Sequence, residues 1–406
     1  MKKAIKCGRL FDSEEGKVLE NQVVIVDGKK IEAVVSMGEF SGEGYEVIDL
    51  SDKFVLPGLI DCHMHLGSSG AANSMMERLI ATHGDSALAS LKNAQKHLMA
   101  GFTTVRNCGS PGFTDVSVRN AIDKGDFFGP RVLACGPAIG STGGHVDMNL
   151  NPHLTVHDSG DYSLVVDSPD AARKAARYVI KHGANLIKFM GTGGVMSRGT
   201  TIGAQQLTYD EIRAICEIAE MYGVHTATHV HGTNGIKAAV RAGVTSVEHG
   251  MVMDEECIEL MVKKGTYLSP TIIVAKRIVD NGVEAGIADY AVAKAKQAIS
   301  THEWGFRKCL EAGVPIVFGT DCGTPFNLHG EQYDEFTYLM DFGMTNTQAL
   351  LAATCQAAKL LRMWDDIGSV SAGKFADIVA VDGDPMTTIK DMEKVSFIMK
   401  DGVVYK

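Results

Sequence analysis

Two histidines stand two positions apart in the apolar run LIDCHMHL, Leu59–Leu66, directly after Pro57-Gly58. In a strand, residues i and i+2 share a face. His63 and His65 then point together, with Cys62, Met64 and Leu66 on the other side. Two neutral imidazoles side by side are half of a divalent-metal site. A strand end with two part-exposed histidines reads the same way, so the rest of the chain has to decide. Other short apolar runs also end on polar residues: Lys188 in NLIKFMGTGG, His229 and His231 in TATHVHG, His249 in SVEHG and Asp321 in FGTDCG. Each alone is more simply structural. Brought to one place, they make a metal centre the better reading.

The elements that would do this form a repeat. A helix-like segment runs to a glycine, and a short apolar strand follows, as in LMAGFTTVRN, IKHGANLIKF, EMYGVHTATHVH, VRAGVTSVEHG, VKKGTYLSPT and LEAGVPIVFGTD. Each glycine suits the position just past a helix. Ser168-Pro169 starts a helix over DAARKAARYVI, and Thr208 with Glu211 makes a capping box before IRAICEIAEMY. With GLIDCHMHL first and GPRVLACG third, eight strands alternate with helices, the pattern of a parallel (β/α)₈ TIM barrel. In that fold the C-terminal strand ends gather at one mouth. A doubly wound open sheet is the alternative. It usually carries a Gly-rich phosphate loop after its first strand, where this chain reads HMHLGSSGAANS.

Both chain ends read as β structure. QVVIVDGKKIEAVV is a hairpin turning at Asp27-Gly28, and YEVIDLSDKFVLPG follows. GKFADIVAVDGDP and VSFIMKDGVVYK carry turns at Asp382-Gly383 and Asp401-Gly402. The expected division is a small β-sandwich domain from residues 1–56 plus 363–406 and a barrel catalytic domain over 57–362. The length of 406 residues accommodates both.

A hydrophobic fraction of 45% and a charged fraction of 22% are those of an ordinary globular chain. A net charge of −10 without a basic cluster argues against a nucleic-acid partner. No run of about 18 apolar residues is present, so no membrane span is expected. The 9 cysteines are odd in number and lack a CxxC pair, which fits a reducing cytoplasm better than a disulfide framework.

The pattern of HMH on the first strand, Lys on the fourth, His on the fifth and sixth and Asp on the eighth resembles the amidohydrolase superfamily. The likeness covers nearly the whole chain. It implies two zinc ions, with His63, His65 and Asp321 on one and His229 and His249 on the other. Lys188, carbamylated by CO₂, would bridge both together with a hydroxide. A lysine ammonium has no lone pair, whereas a carbamate offers two oxygen donors. Ile187 and Phe189 give Lys188 an apolar setting, which favours the neutral amine that reacts with CO₂. Paired cations about 3.5–4 Å apart lower the pKa of a shared water. Asp321 is then placed to carry its proton to the leaving nitrogen.

Within the superfamily, GFTTVRN, STGGH, GTGGVMSRG, HVHG, SVEHG and GKFADIVAVDGDP resemble the imidazolonepropionase-related, prolidase-like branch, most nearly its zinc carboxypeptidases that release Arg or Lys. The implied substrate is a small molecule, a dipeptide or N-acyl amino acid whose leaving amine carries an α-carboxylate. His145, His231 and Arg198 are the candidates to hold that carboxylate. Prolidase-like members often carry Tyr where this chain has His231. Glu331, Asp334 and Glu335 could receive a basic side chain, or simply open a helix. His302 reads as a helix-surface residue, and His153, His157 and Asp158 fall in an expected lid. Alternatives are an Xaa-Pro dipeptidase, an ochratoxin-type amidase, a cyclic-amide hydrolase of imidazolonepropionase type and a non-catalytic scaffold. The resemblance also implies a homo-oligomer.

Overall fold

The computed structural model describes residues 2–147 and 162–406. Parallel strands Leu59–Met64, Phe102–Asn107 and Arg131–Leu133 form one sheet. A second runs Tyr267–Ser269, Ser246–His249, His225–Val230, Leu186–Met190 and Ala138–Gly140, with Ser163–Val165 at its edge. Backbone hydrogen bonds close the two into a barrel. Asn185 N donates to Ala134 O (2.7 Å), Val317 N to Leu268 O (2.9 Å) and Cys62 N to Phe318 O (2.9 Å). The chain thus forms a TIM barrel with a sheet-rich domain built from both ends.

Two staves depart from regular strands. GPRVLACG is interrupted after Leu133, and Gly136 (φ +67°) turns the chain before Ala138–Gly140. The eighth stave makes hydrogen bonds to both neighbours without a continuous ladder. It bends because Asp321 is left-handed at φ +56°. At Gly319 a Cβ would strike Ser269 and come within 3.1 Å of the His63 Cβ.

The helix signals act as expected. Ser168 Oγ accepts from Ala171 N (3.3 Å) at the start of helix Pro169–Lys181. Thr208 and Glu211 form a reciprocal capping box on helix Tyr209–Tyr222. Alternation along the strands then sets the mouth. Leu186 and Ala227 share faces with Lys188 and His229, and with Leu133 and Val317 they fill the barrel beneath the polar residues.

At the other end, Glu46–Pro57 pairs in parallel with Lys3–Asp12 and antiparallel with Ile378–Val381. It joins front strands Lys17–Asp27 and Lys30–Ser36 to rear strands Val395–Lys400 and Val403–Val404 in one seven-stranded sheet. Ile5, Leu10, Val24, Val55, Ile378 and Phe397 belong to this sheet and form one buried cluster, so the sheet folds over on itself. Asp382-Gly383 is not a hairpin turn. The chain continues through a 3₁₀ turn at Ile389–Glu393 before Val395.

His302 is buried rather than on the surface. It lies on helix Asp289–Ala312, whose inner face is Ala291, Ala295, Ala298, His302, Phe306 and Cys309. All nine cysteines are free and buried. Among the described residues, no helix is long and apolar enough to cross a membrane.

Candidate metal centre

The barrel mouth brings the expected residues together. His63, His65, His145, Lys188, His229, His231, His249 and Asp321 all line one pocket of about 1160 Å³, counting its open mouth. Asp321 Oδ1 lies 3.1 Å from His65 Nε2 and 3.6 Å from His63 Nε2. Ligand atoms of His63, His249 and Asp321 all fall within 4.8 Å of one another. The His229 ring centroid is 4.6 Å from that of His249, and that of His63 is 4.9 Å from that of His249. Lys188 Nζ sits 3.3 Å from His63 Nε2. Lys188 is 2% exposed, and among the described residues no carboxylate lies within ion-pair distance of it. It neither pairs with an acid nor reaches solvent.

Two observations test whether these groups suit a metal. First, among the described residues His229 Nε2 is buried without a hydrogen-bond partner, and Asp321 Oδ1 is buried with only the His65 and His63 rings near it. Such atoms are costly unless something else engages them. Second, the far nitrogens of two rings are already used. His63 Nδ1 contacts Glu248 Oε2 at 2.7 Å, and His249 Nδ1 contacts Thr271 Oγ1 at 2.7 Å. A ring that donates from Nδ1 holds its Nε2 lone pair outward, the form a metal needs. The donor set of imidazoles and a carboxylate fits zinc.

Glu248 is itself anchored. Arg106 Nη2 donates to its Oε1 (2.8 Å), and Arg106, Glu248 and His63 are all fully buried. Burial opposes the charge on Glu248, but Arg106 and His63 outweigh it and hold the carboxyl far below its usual range. Asp61 accepts from Thr320 Oγ1 (2.6 Å) and His63 N (3.1 Å), tying the first stave to the eighth. His249 (φ +71°), Thr271 (φ +49°) and Asp321 (φ +56°) are all left-handed, a costly conformation that clusters at functional sites.

Five of the site's imidazoles are held below the usual histidine range. Burial, then the nearby Lys188, pushes His63 down to about 4. Burial also pushes His145 and His231 down to about 3, and holds His229 and His249 well below the usual range. Asp321 stays ionised: burial works against the charge, but His63 and His65 keep its carboxyl lowered.

The carboxylate-binding candidates divide. His145 stacks on His229 with centroids 4.0 Å apart, and His231 packs 5.2 Å from His249. The Nδ1 of each is buried without a partner. Arg198 is exposed and does not line the pocket, because its loop turns it outward. Glu335 and Asp334 open helix Asp334–Asp341, and Glu335 accepts from Ile272 N (3.0 Å) and Ile273 N (2.7 Å). It caps a second helix rather than facing a substrate, and Glu331 is exposed. His153, His157 and Asp158 lie outside the described residues.

Glu248, Arg106, Thr271 and Gly194 were not singled out from the sequence. A signal existed for the first two: opposite charges stand inside the apolar strands TTVRN and SVEHG. Buried strand positions tolerate such charges only as a pair. Gly194 leaves space. A Cβ there would lie 2.6 Å from His229 Nε2 and 2.7 Å from His145 Nδ1.

A barrel mouth lined in this way, together with the family match, marks a metal-dependent hydrolase of amide bonds. The chain belongs to the amidohydrolase family, whose model matches residues 54–406. It is 30% identical to an ochratoxinase of Aspergillus niger, over 97% of this chain and 84% of that protein. Its structure resembles a Xaa-Pro dipeptidase with methionine bound in its active site (TM-score 0.93, 35% identity, all of both chains). It also resembles a prolidase complexed with N-methylphosphonate-L-proline (TM-score 0.93, 31% identity, all of both chains).

Proposed function

We propose that this chain is a binuclear zinc amidohydrolase that frees a C-terminal amino acid from a dipeptide or N-acyl amino acid. The observation that carries this reading is the convergence of four imidazoles, a carboxylate and a buried lysine with no acid partner among the described residues. His63, His65 and Asp321 would hold one ion and His229 and His249 the other. Lys188, as its carbamate, would bridge them. Bound there, the ions supply a hydroxide at neutral pH and polarise the scissile carbonyl.

The chain's own groups do the rest. Asp321 takes a proton at Oδ1 and passes it to the departing nitrogen. His145 and His231, neutral because of burial, donate N–H groups to the substrate's α-carboxylate. Glu248 and Thr271 fix the tautomers of His63 and His249. The catalytic unit of this reading is residues 57–362, with 1–56 and 363–406 as the β-sandwich domain. A homo-oligomer in the reducing cytoplasm completes it; nine free, buried cysteines support that setting.

The test is metal analysis with an activity panel of N-acyl amino acids, Xaa-Arg, Xaa-Lys and Xaa-Pro dipeptides, ochratoxin-type amides and cyclic amides. Chelation should abolish turnover, and zinc with bicarbonate should restore it. Turnover indifferent to chelation sinks the metal mechanism. Hydrolysis of imidazolones or hydantoins alone replaces the substrate assignment.

A further inference from the structure

Beside the ligand cluster the pocket wall is apolar. Met190, Val195, Met196, Met251 and Val274 line it. Among the described lining residues Asp321 is the only carboxylate, and it faces His63 and His65. The segment carrying Val195 and Met196 is held from behind. Lys294 Nζ donates to Gly194 O (3.1 Å) and Ser197 O (2.9 Å), the residues that flank Val195 and Met196. Tyr290 Oη donates to Met196 O (3.2 Å), so helix Asp289–Ala312 holds this segment at two points. The wall is a fixed surface built on that helix.

Resting on the amidohydrolase reading above, we propose that this wall selects amides of apolar amino acids and rejects those of Arg and Lys. A guanidinium or ammonium entering here would shed water and, among the described lining residues, meet no anion but Asp321, which is already engaged with the histidines. An apolar side chain does not face that cost. Thioethers are unbranched and polarisable, so Met190, Met196 and Met251 can conform to Met, Leu or Phe. Of the amino acids the amidohydrolase reading leaves open, the proposal favours apolar ones over Arg and Lys.

The experiment compares kcat/KM of the metal-loaded enzyme on N-acetyl-L-methionine, -leucine and -phenylalanine with N-acetyl-L-lysine and -arginine. Calorimetry of free L-methionine and L-lysine runs in parallel. Apolar compounds should lead by on the order of 100-fold. Equal or better turnover of the basic compounds overturns the proposal. If no amide is cleaved but L-methionine binds and L-lysine does not, the wall stands and the hydrolase reading falls. Equal binding of the two, or binding of neither, overturns the wall as well. Met196→Glu, at a part-exposed position, should raise the lysine-to-leucine ratio about 10-fold. An unchanged ratio in that folded variant removes Met196 from the wall.

Discussion

Gly194 shows how much a single missing carbon can matter. Its backbone does not use the left-handed region, so alanine costs no backbone strain there. The added methyl would nonetheless stand 2.6 Å from His229 Nε2, inside the space a ligand needs. Gly194→Ala should therefore lose bound zinc and turnover while its melting temperature matches the metal-free parent. Full zinc by elemental analysis would show that the rings yield. Asp321 makes the complementary case. Asparagine keeps its size but cannot carry the proton, so Asp321→Asn should stay folded and lose about 10²–10⁴ in kcat. Near-parent turnover would remove Asp321 from proton transfer. The site residues were legible at this scale because strand alternation fixes which side chains share a face. Arg198 was not, since loop residues have no period and nothing in GVMSRGT says which way the arginine turns.

Elements position what residues supply. The strands carrying Arg106 and Glu248 place an ion pair beneath His63, wholly out of water. Glu248→Gln would leave the Arg106 charge buried without its counterpart. The expected loss is about 3–5 kcal/mol of folding stability, read by urea denaturation. A loss under 1 kcal/mol would mean that water reaches the pair. Thr271→Val tests the gentler support: His249 keeps its place but loses its acceptor. Zinc affinity should fall about 10–100-fold by competition with a chelator dye. His302 records what sequence reading overlooked. The spacing of Ala291, Ala295, Ala298, His302, Phe306 and Cys309 is that of a buried helix stripe, and the histidine sits within it. The polarity of one residue hid the periodicity of the helix. The eighth stave was legible as a position but not as an irregular segment, because its bend rests on the left-handed Asp321 and on the donation of Thr320 N and Asp321 N to His63 O, which no local pattern encodes.

For the whole molecule, histidine burial sets the response to acid. His63, His302 and His329 are pushed down to about 4, chiefly by burial, and His145, His225 and His231 to about 3. The unfolded chain takes up protons near pH 6.5, while the folded chain resists until pH 4 or below. Stability from these groups is complete above pH 6.5 and drains as pH falls from there toward 3. Each costs on the order of 1 kcal/mol per pH unit. The melting temperature should fall steeply across that window, and a flat profile would mean that the rings are wetter than the structure shows. His329 makes this testable at a residue outside the proposed metal ligands. His97 Nε2 contacts its Nδ1 at 2.8 Å, and its Nε2 donates to Ser68 O at 2.9 Å. His329→Gln should make the acid slope shallower.

The shared terminal sheet also sets a timetable. Pro57 is paired opposite Ile378, about 320 residues further along the chain. At 5–20 residues per second, a ribosome needs roughly 15–60 s to deliver that neighbour. Throughout that interval the strand Glu46–Pro57 has one edge open, the kind of edge that recruits other chains. Newborn copies crowded on one messenger are thus at their stickiest before the barrel between the two ends has been completed.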